Sequence, residues 1–109
     1  MKMKTVIYTF SVIFMVLSSS LSFADPVWID VRTLSENQRD NIAGDVRISH
    51  SNIVKEVTVL FPDKNTELYL YDNTGGRSDI ALSALKAIGY KNLHNAGSIE
   101  EARKARGIE

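Results

Sequence analysis

The chain has 109 residues, 44% of them apolar, with 13 basic residues against 13 acidic ones and no cysteine. That length and composition fit one small domain, and the lack of cysteine excludes disulfides, so a single core has to hold the fold.

Lys2 and Lys4 precede an apolar stretch from Thr5 to Leu17, and Ser22 and Ala24 place small residues where a signal peptidase reads. A membrane anchor is the competing reading. Ser11 and Ser18 to Ser20 dilute the run, which falls short of the roughly 20 apolar residues that a span needs. The pattern predicts a signal peptide over residues 1–24, cleaved on export, and a mature domain over 25–109 in the periplasm, without stable membrane insertion. Cleavage removes two lysines and no acidic residue, leaving 11 basic against 13 acidic residues and a net charge of −2. Such a balance offers no footprint for nucleic acid.

The mature part opens with a strand over Val27 to Val31, interrupted by Asp30, a charge that needs a partner if the strand is buried. Thr33 to Asn41 reads as a short helix, with Thr33 or Ser35 as cap and Glu36 three residues after Thr33 in capping-box spacing. Ile42 to Ile48 leads to a second helix from Ser51, with Ile53, Val54, Val57 and Leu60 expected on one face and Pro62 beyond its end. Pro62 to Asn65 is a turn.

Leu68 to Tyr71 is an apolar run short enough for a buried strand. Asp72, Asn73, Thr74, Gly75 and Gly76 then break the pattern, the two glycines being free to adopt backbone angles that a Cβ forbids. Ser78 is the expected N-cap of a helix carrying Ile80, Ala81, Leu82, Ala84, Leu85 and Ile88. A bend of this kind turns backbone N–H groups inward at a helix N-terminus, where anions are welcome. Gly89 stops the helix. Asn92 to Asn95 is a last short strand, and Ser98 with Glu101 caps a final helix through about Arg106. Strands alternating with helices predict an α/β fold, a central parallel sheet with helices on both faces.

Asp72 to Ser78 resembles the rhodanese active-site loop, Cys-x-x-Gly-x-Arg-Ser, at every defined position except the first. Asp30-Val31-Arg32 resembles the first-strand signature of that family. Ile42 to Ile48 partly resembles its His-Ile-x-Gly-Ala-x-Asn-Ile segment, with Asn41, Asp45 and Arg47 departing from it. Gly89-Tyr90, Leu93, Ala96 and Gly97 resemble its Gly-Tyr-x-x-Val segment and the glycines after it, with Ser98 at the second. The resemblance runs from Trp28 to Ala102 and is nearest to short periplasmic single-domain rhodaneses of the phage-shock-protein-E type. It implies a rhodanese-like domain whose loop cradles a persulfide on a cysteine, and Asp72 stands in that cysteine's place. A carboxylate cannot form a persulfide.

The loop residues Asp72, Asn73, Thr74, Gly75, Gly76, Arg77 and Ser78 are therefore the candidate site, with no catalytic residue expected. Asp72 either fills the ring of N–H groups with its own carboxylate or is an ordinary loop residue. Asp30 and Arg32 either cap the strand end or brace the loop, the specific form of bracing being an Asp30–Arg77 ion pair. Asp72-Asn73-Thr74-Gly75 faintly resembles phosphoaspartyl enzymes, but the further carboxylates and lysine of a magnesium site are missing. His50 and His94 stand apart from other metal-ligating residues, so no metal and no cofactor are expected. Trp28 and the tyrosines read as core, because no basic cluster accompanies them. The favoured function is a monomeric, catalytically inactive binding or regulatory module for a protein or a small anion. The alternative is an enzyme, either a sulfurtransferase component using a partner's thiol or another group transfer through Asp72.

Overall fold

The computed structural model of the protein describes residues 25–108, and the signal peptide expected over residues 1–24 lies outside them. Chain order within this part is β1 (Val27–Asp30), α1 (Leu34–Arg39), β2 (Val46–Arg47), a 3₁₀ turn (His50–Asn52), α2 (Ile53–Leu60), β3 (Leu68–Asp72), α3 (Gly76–Ala87), β4 (Leu93–Ser98) and α4 (Ile99–Ala105). All four strands are parallel, in the order β2-β1-β3-β4. Parallel strands with helical crossovers bury both faces of the sheet, and alternation along β1 and β3 divides their side chains accordingly.

Ile29, Val31, Leu68 and Leu70 form a closed core with Ile53 and Val57 of α2, Ala81 and Leu85 of α3, and Tyr90. A smaller cluster contains Tyr71, Ile42, and Ile99 and Ala102 of α4, with Trp28 and Ala96 packed against it. The helices thus cover both faces, and β3 lies between two neighbours, which places its carboxyl end in the middle of one pole of the domain.

Several boundaries differ from the sequence reading, each for a local reason. The expected single face of α2 is narrower: Ile53 and Val57 are buried, whereas Val54, about 100° round the helix from Ile53, and Leu60, the last helical residue, are 36% and 53% exposed. Strand β4 runs on to Ser98. Its pairing with β3 skips Ala96, Leu70 facing Asn95 and Tyr71 facing Gly97, so a bulge carries the strand past the expected end. The capping boxes read at Thr33/Glu36 and Ser98/Glu101 are both formed.

Trp28, Tyr69 and His94 occupy paired positions on β1, β3 and β4. Their rings stack in a row, with centroids 4.3 Å apart at both steps, and Arg106 lies 4.3 Å over the other face of Trp28. Trp28 and Tyr69 are only partly buried, so these two aromatics line a half-open sheet face, whereas Tyr71 and Tyr90 are enclosed in the core as expected.

Candidate functional site

Asp72 is the last residue of β3 and is 1% exposed. The chain turns sharply after it, and Gly75, at φ 94°, is the N-cap of α3. A Cβ on Gly75 would also sit 3.3 Å from the Gly97 backbone, so the loop needs glycine there for angle and for space. Asn95 fastens the other side, its Nδ2 donating to the Gly75 carbonyl at 2.9 Å while its Oδ1 accepts from the Gly97 N–H at 2.9 Å. The cap expected at Ser78 is a correction: Ser78 is inside the first turn of α3, fully buried. Its hydroxyl donates to Asp72 Oδ1 at 3.3 Å.

The Asp72 carboxylate closes the loop on itself. Oδ1 accepts from the Gly75 N–H as well as from Ser78, and Oδ2 accepts from the Arg77 N–H at 2.8 Å. Arg77 Nε lies 3.5 Å from the same oxygen. The side chain thus occupies the centre of the inward N–H groups, where the sequence reading left open whether it would be held or merely tolerated. Gly76 N–H takes the Thr74 hydroxyl instead, at 3.3 Å.

The expected Asp30–Arg77 ion pair is not made. Asp30 Oδ1 accepts from the Arg32 N–H and Nε, both at 3.0 Å, and Oδ2 accepts from Arg32 Nη2 at 2.9 Å and Asn37 Nδ2 at 3.0 Å. Arg32 Nη2 also reaches the Asp40 carbonyl at 2.6 Å. Asp30 raises the Arg32 pKa, through their hydrogen bond first and against the opposing effect of burial. Asp30 and Arg32 therefore cap the strand end and anchor the C-terminal half of α1, and their effect on the loop passes through α1.

Arg77 turns to Glu36 instead. Its Nη1 lies 2.7 Å from Glu36 Oε1 and its Nη2 3.1 Å from Oε2, a bidentate pair of the strong kind. Glu36 Oε2 also accepts from Asn73 Nδ2 at 2.7 Å, and Oε1 from the Thr33 N–H and hydroxyl, each at 3.0 Å. Arg77, followed by the Thr33 backbone, holds the Glu36 carboxyl far below the usual carboxylate range, and Glu36 correspondingly raises Arg77. The site thus includes a residue that the sequence reading used only as a helix cap. The signal available was the free second oxygen of a capping-box Glu, with nothing in the spacing to say what it would meet.

No group of three or more His, Asp or Glu side chains able to hold a metal ion occurs among the described residues. His94 is stacked on Tyr69 and bonded to Glu67 at 3.0 Å.

The strand-to-helix cradle, with Arg and Ser in the first turn of α3, coincides with the family resemblance, and a rhodanese-like domain model matches residues 16–105. The chain belongs to the rhodanese-like family. It is 31% identical over 90 residues to the thiosulfate sulfurtransferase PspE of Escherichia coli, covering 78% of this chain and 86% of that protein. Among solved structures it resembles an E. coli rhodanese solved with anions, at 30% identity and a TM-score of 0.67 over 71% of this chain and 91% of that one. A human single-domain sulfurtransferase, TSTD1, shares the fold at 22% identity and a TM-score of 0.62, covering 84% and 89% of the two chains. The rhodanese-like chain described here has no cysteine anywhere in its sequence.

Proposed function

We propose that this rhodanese-like protein is an exported domain that works by binding a partner and carries no sulfur. The observation that supports this most directly is Asp72: it stands at the position matched to the family's nucleophile, buried, with both oxygens engaged by the loop's own donors. A sulfane sulfur needs a thiolate to receive it, and no side chain here supplies one. Group transfer through Asp72 needs an oxygen that faces an incoming substrate, and 1% exposure argues against that. Export follows from the basic, apolar and small-residue pattern of residues 1–24, with a monomeric domain beginning at Asp25.

The test is thiosulfate-to-cyanide sulfur transfer by purified protein beginning at Asp25. Turnover indistinguishable from buffer is expected. Activity that persists after contaminating enzymes are removed, and that scales with this protein, would sink the reading.

A further inference from the structure

We propose that Glu36 decides what the loop admits, excluding small anions and leaving the mouth to neutral groups. This deepens, and rests on, the reading of the loop as a binding site that carries no sulfur. Loops of this shape ordinarily favour anions, because N–H groups and a helix N-terminus converge there. In this protein both sources of attraction are already satisfied from within. Asp72 takes the N–H groups, and Glu36 takes the guanidinium.

The geometry makes the second blockade specific. Arg77 lies between two carboxylates, with Nη1 and Nη2 on Glu36 and Nε 3.5 Å from Asp72. Two carboxylates against one guanidinium give this cluster a net charge of −1. Asn73, another donor at the mouth, is also bound to Glu36. A sulfate- or thiosulfate-like dianion would have to displace Glu36 from five hydrogen-bond contacts, or else approach a cluster of its own sign. A neutral group meets neither obstacle.

The charge of Glu36 is separable from its structural work. A capping box accepts Gln as readily as Glu at this position, so Glu36→Gln keeps the contact to the Thr33 N–H and removes the charge. A reporter inside the cradle comes from Asp72→Cys, which places a thiol among the N–H groups of the loop. The experiment compares alkylation of that thiol by iodoacetate, an anion, and iodoacetamide, its neutral counterpart, as a ratio of rates.

In D72C the ratio of iodoacetate to iodoacetamide rates is expected to stay close to that of free cysteine, because the substitution removes one of the two carboxylates and Glu36 alone still balances Arg77. In D72C/E36Q it should rise on the order of tenfold above that, the size of one close unit charge at a protein surface, since Arg77 then faces the loop uncompensated. A ratio in D72C that already stands about tenfold above that of free cysteine would overturn the proposal, because Glu36 would then not be neutralising Arg77. So would a change in E36Q that scales both reagents equally, because that is the signature of a residue that only shapes the loop. If the double variant does not fold, D72C alone still decides, since with Glu36 balancing Arg77 its ratio should change little as the salt concentration is raised, whereas an uncompensated Arg77 would make it fall. Failure here is distinct from failure of the functional reading, which is judged on the cysteine-free protein by sulfur transfer.

Discussion

Asp72 is held by three donors in a space with almost no access to water, and its energetic role follows from that. Asp72→Ala would leave the Gly75 and Arg77 N–H groups and the Ser78 hydroxyl without an acceptor. Buried polar groups stranded in this way cost about 1–3 kcal/mol each, less whatever water recovers, so a loss of roughly 2–4 kcal/mol is expected. Urea unfolding followed by circular dichroism measures it, and a change below about 0.5 kcal/mol, the usual surface value, would mean that the loop does not depend on the carboxylate. At this scale the sequence was informative about place and silent about pairing. Leu68 to Gly76 was legible as strand and loop because aromatic and apolar residues give way abruptly to Asp, Asn and Gly. Ser78 was misplaced as a cap because Ser is favoured there intrinsically, whereas the buried Asp72 oxygen recruits it from inside the helix. The Asp30–Arg77 pairing failed because Arg32, two residues from Asp30, reaches that carboxylate without spanning the domain.

Among the elements, α1 is the one whose importance is least visible in its own residues. It has six residues and none of them is buried, so its position depends on polar ties: Asn37 to Asp30, the Asp40 carbonyl to Arg32, and Glu36 to the loop. Glu36 has its folded-state pKa lowered, by Arg77 first. The sign is that of a group whose stabilising contribution is complete above the unfolded value of about 4.3 and is lost as pH falls through the lower folded value. Wild type should therefore lose stability on acidification below about pH 4.3 more steeply than Glu36→Gln. Thermal unfolding of both proteins between neutral and strongly acidic pH checks this, and parallel curves would show that the pair contributes nothing. The existence of α1 was legible from Thr33 and Glu36, but its tie to the loop was not, since capping geometry specifies local backbone contacts and leaves distant ones open.

For the whole molecule, the parallel sheet with helices on both sides was readable from the alternation of short apolar strands with helical periods. The half-open aromatic face was not, because Trp28 and Tyr69 look like core residues in any apolar strand. The beginning of the described chain bears on processing. Asp25 and Pro26 are exposed and precede β1, and Val27 is the first residue bonded into the sheet, through its N–H to the Glu67 carbonyl at 2.9 Å. A cut after Ala24 would therefore leave in place every sheet contact among the described residues. Mass spectrometry of exported protein is expected to find Asp25 at the N-terminus. Full-length chain recovered from the membrane fraction would instead mean a tethered domain.

Trp28 is the only tryptophan in the chain, stacked on Tyr69 across the β1–β3 ladder and covered by Arg106 from just beyond α4. The tryptophan fluorescence of this protein therefore originates at a single ring, whose surroundings depend jointly on strand register and on the seating of the last helix. Because a slip of one residue would carry the indole to the opposite face, its emission serves as an optical gauge of register.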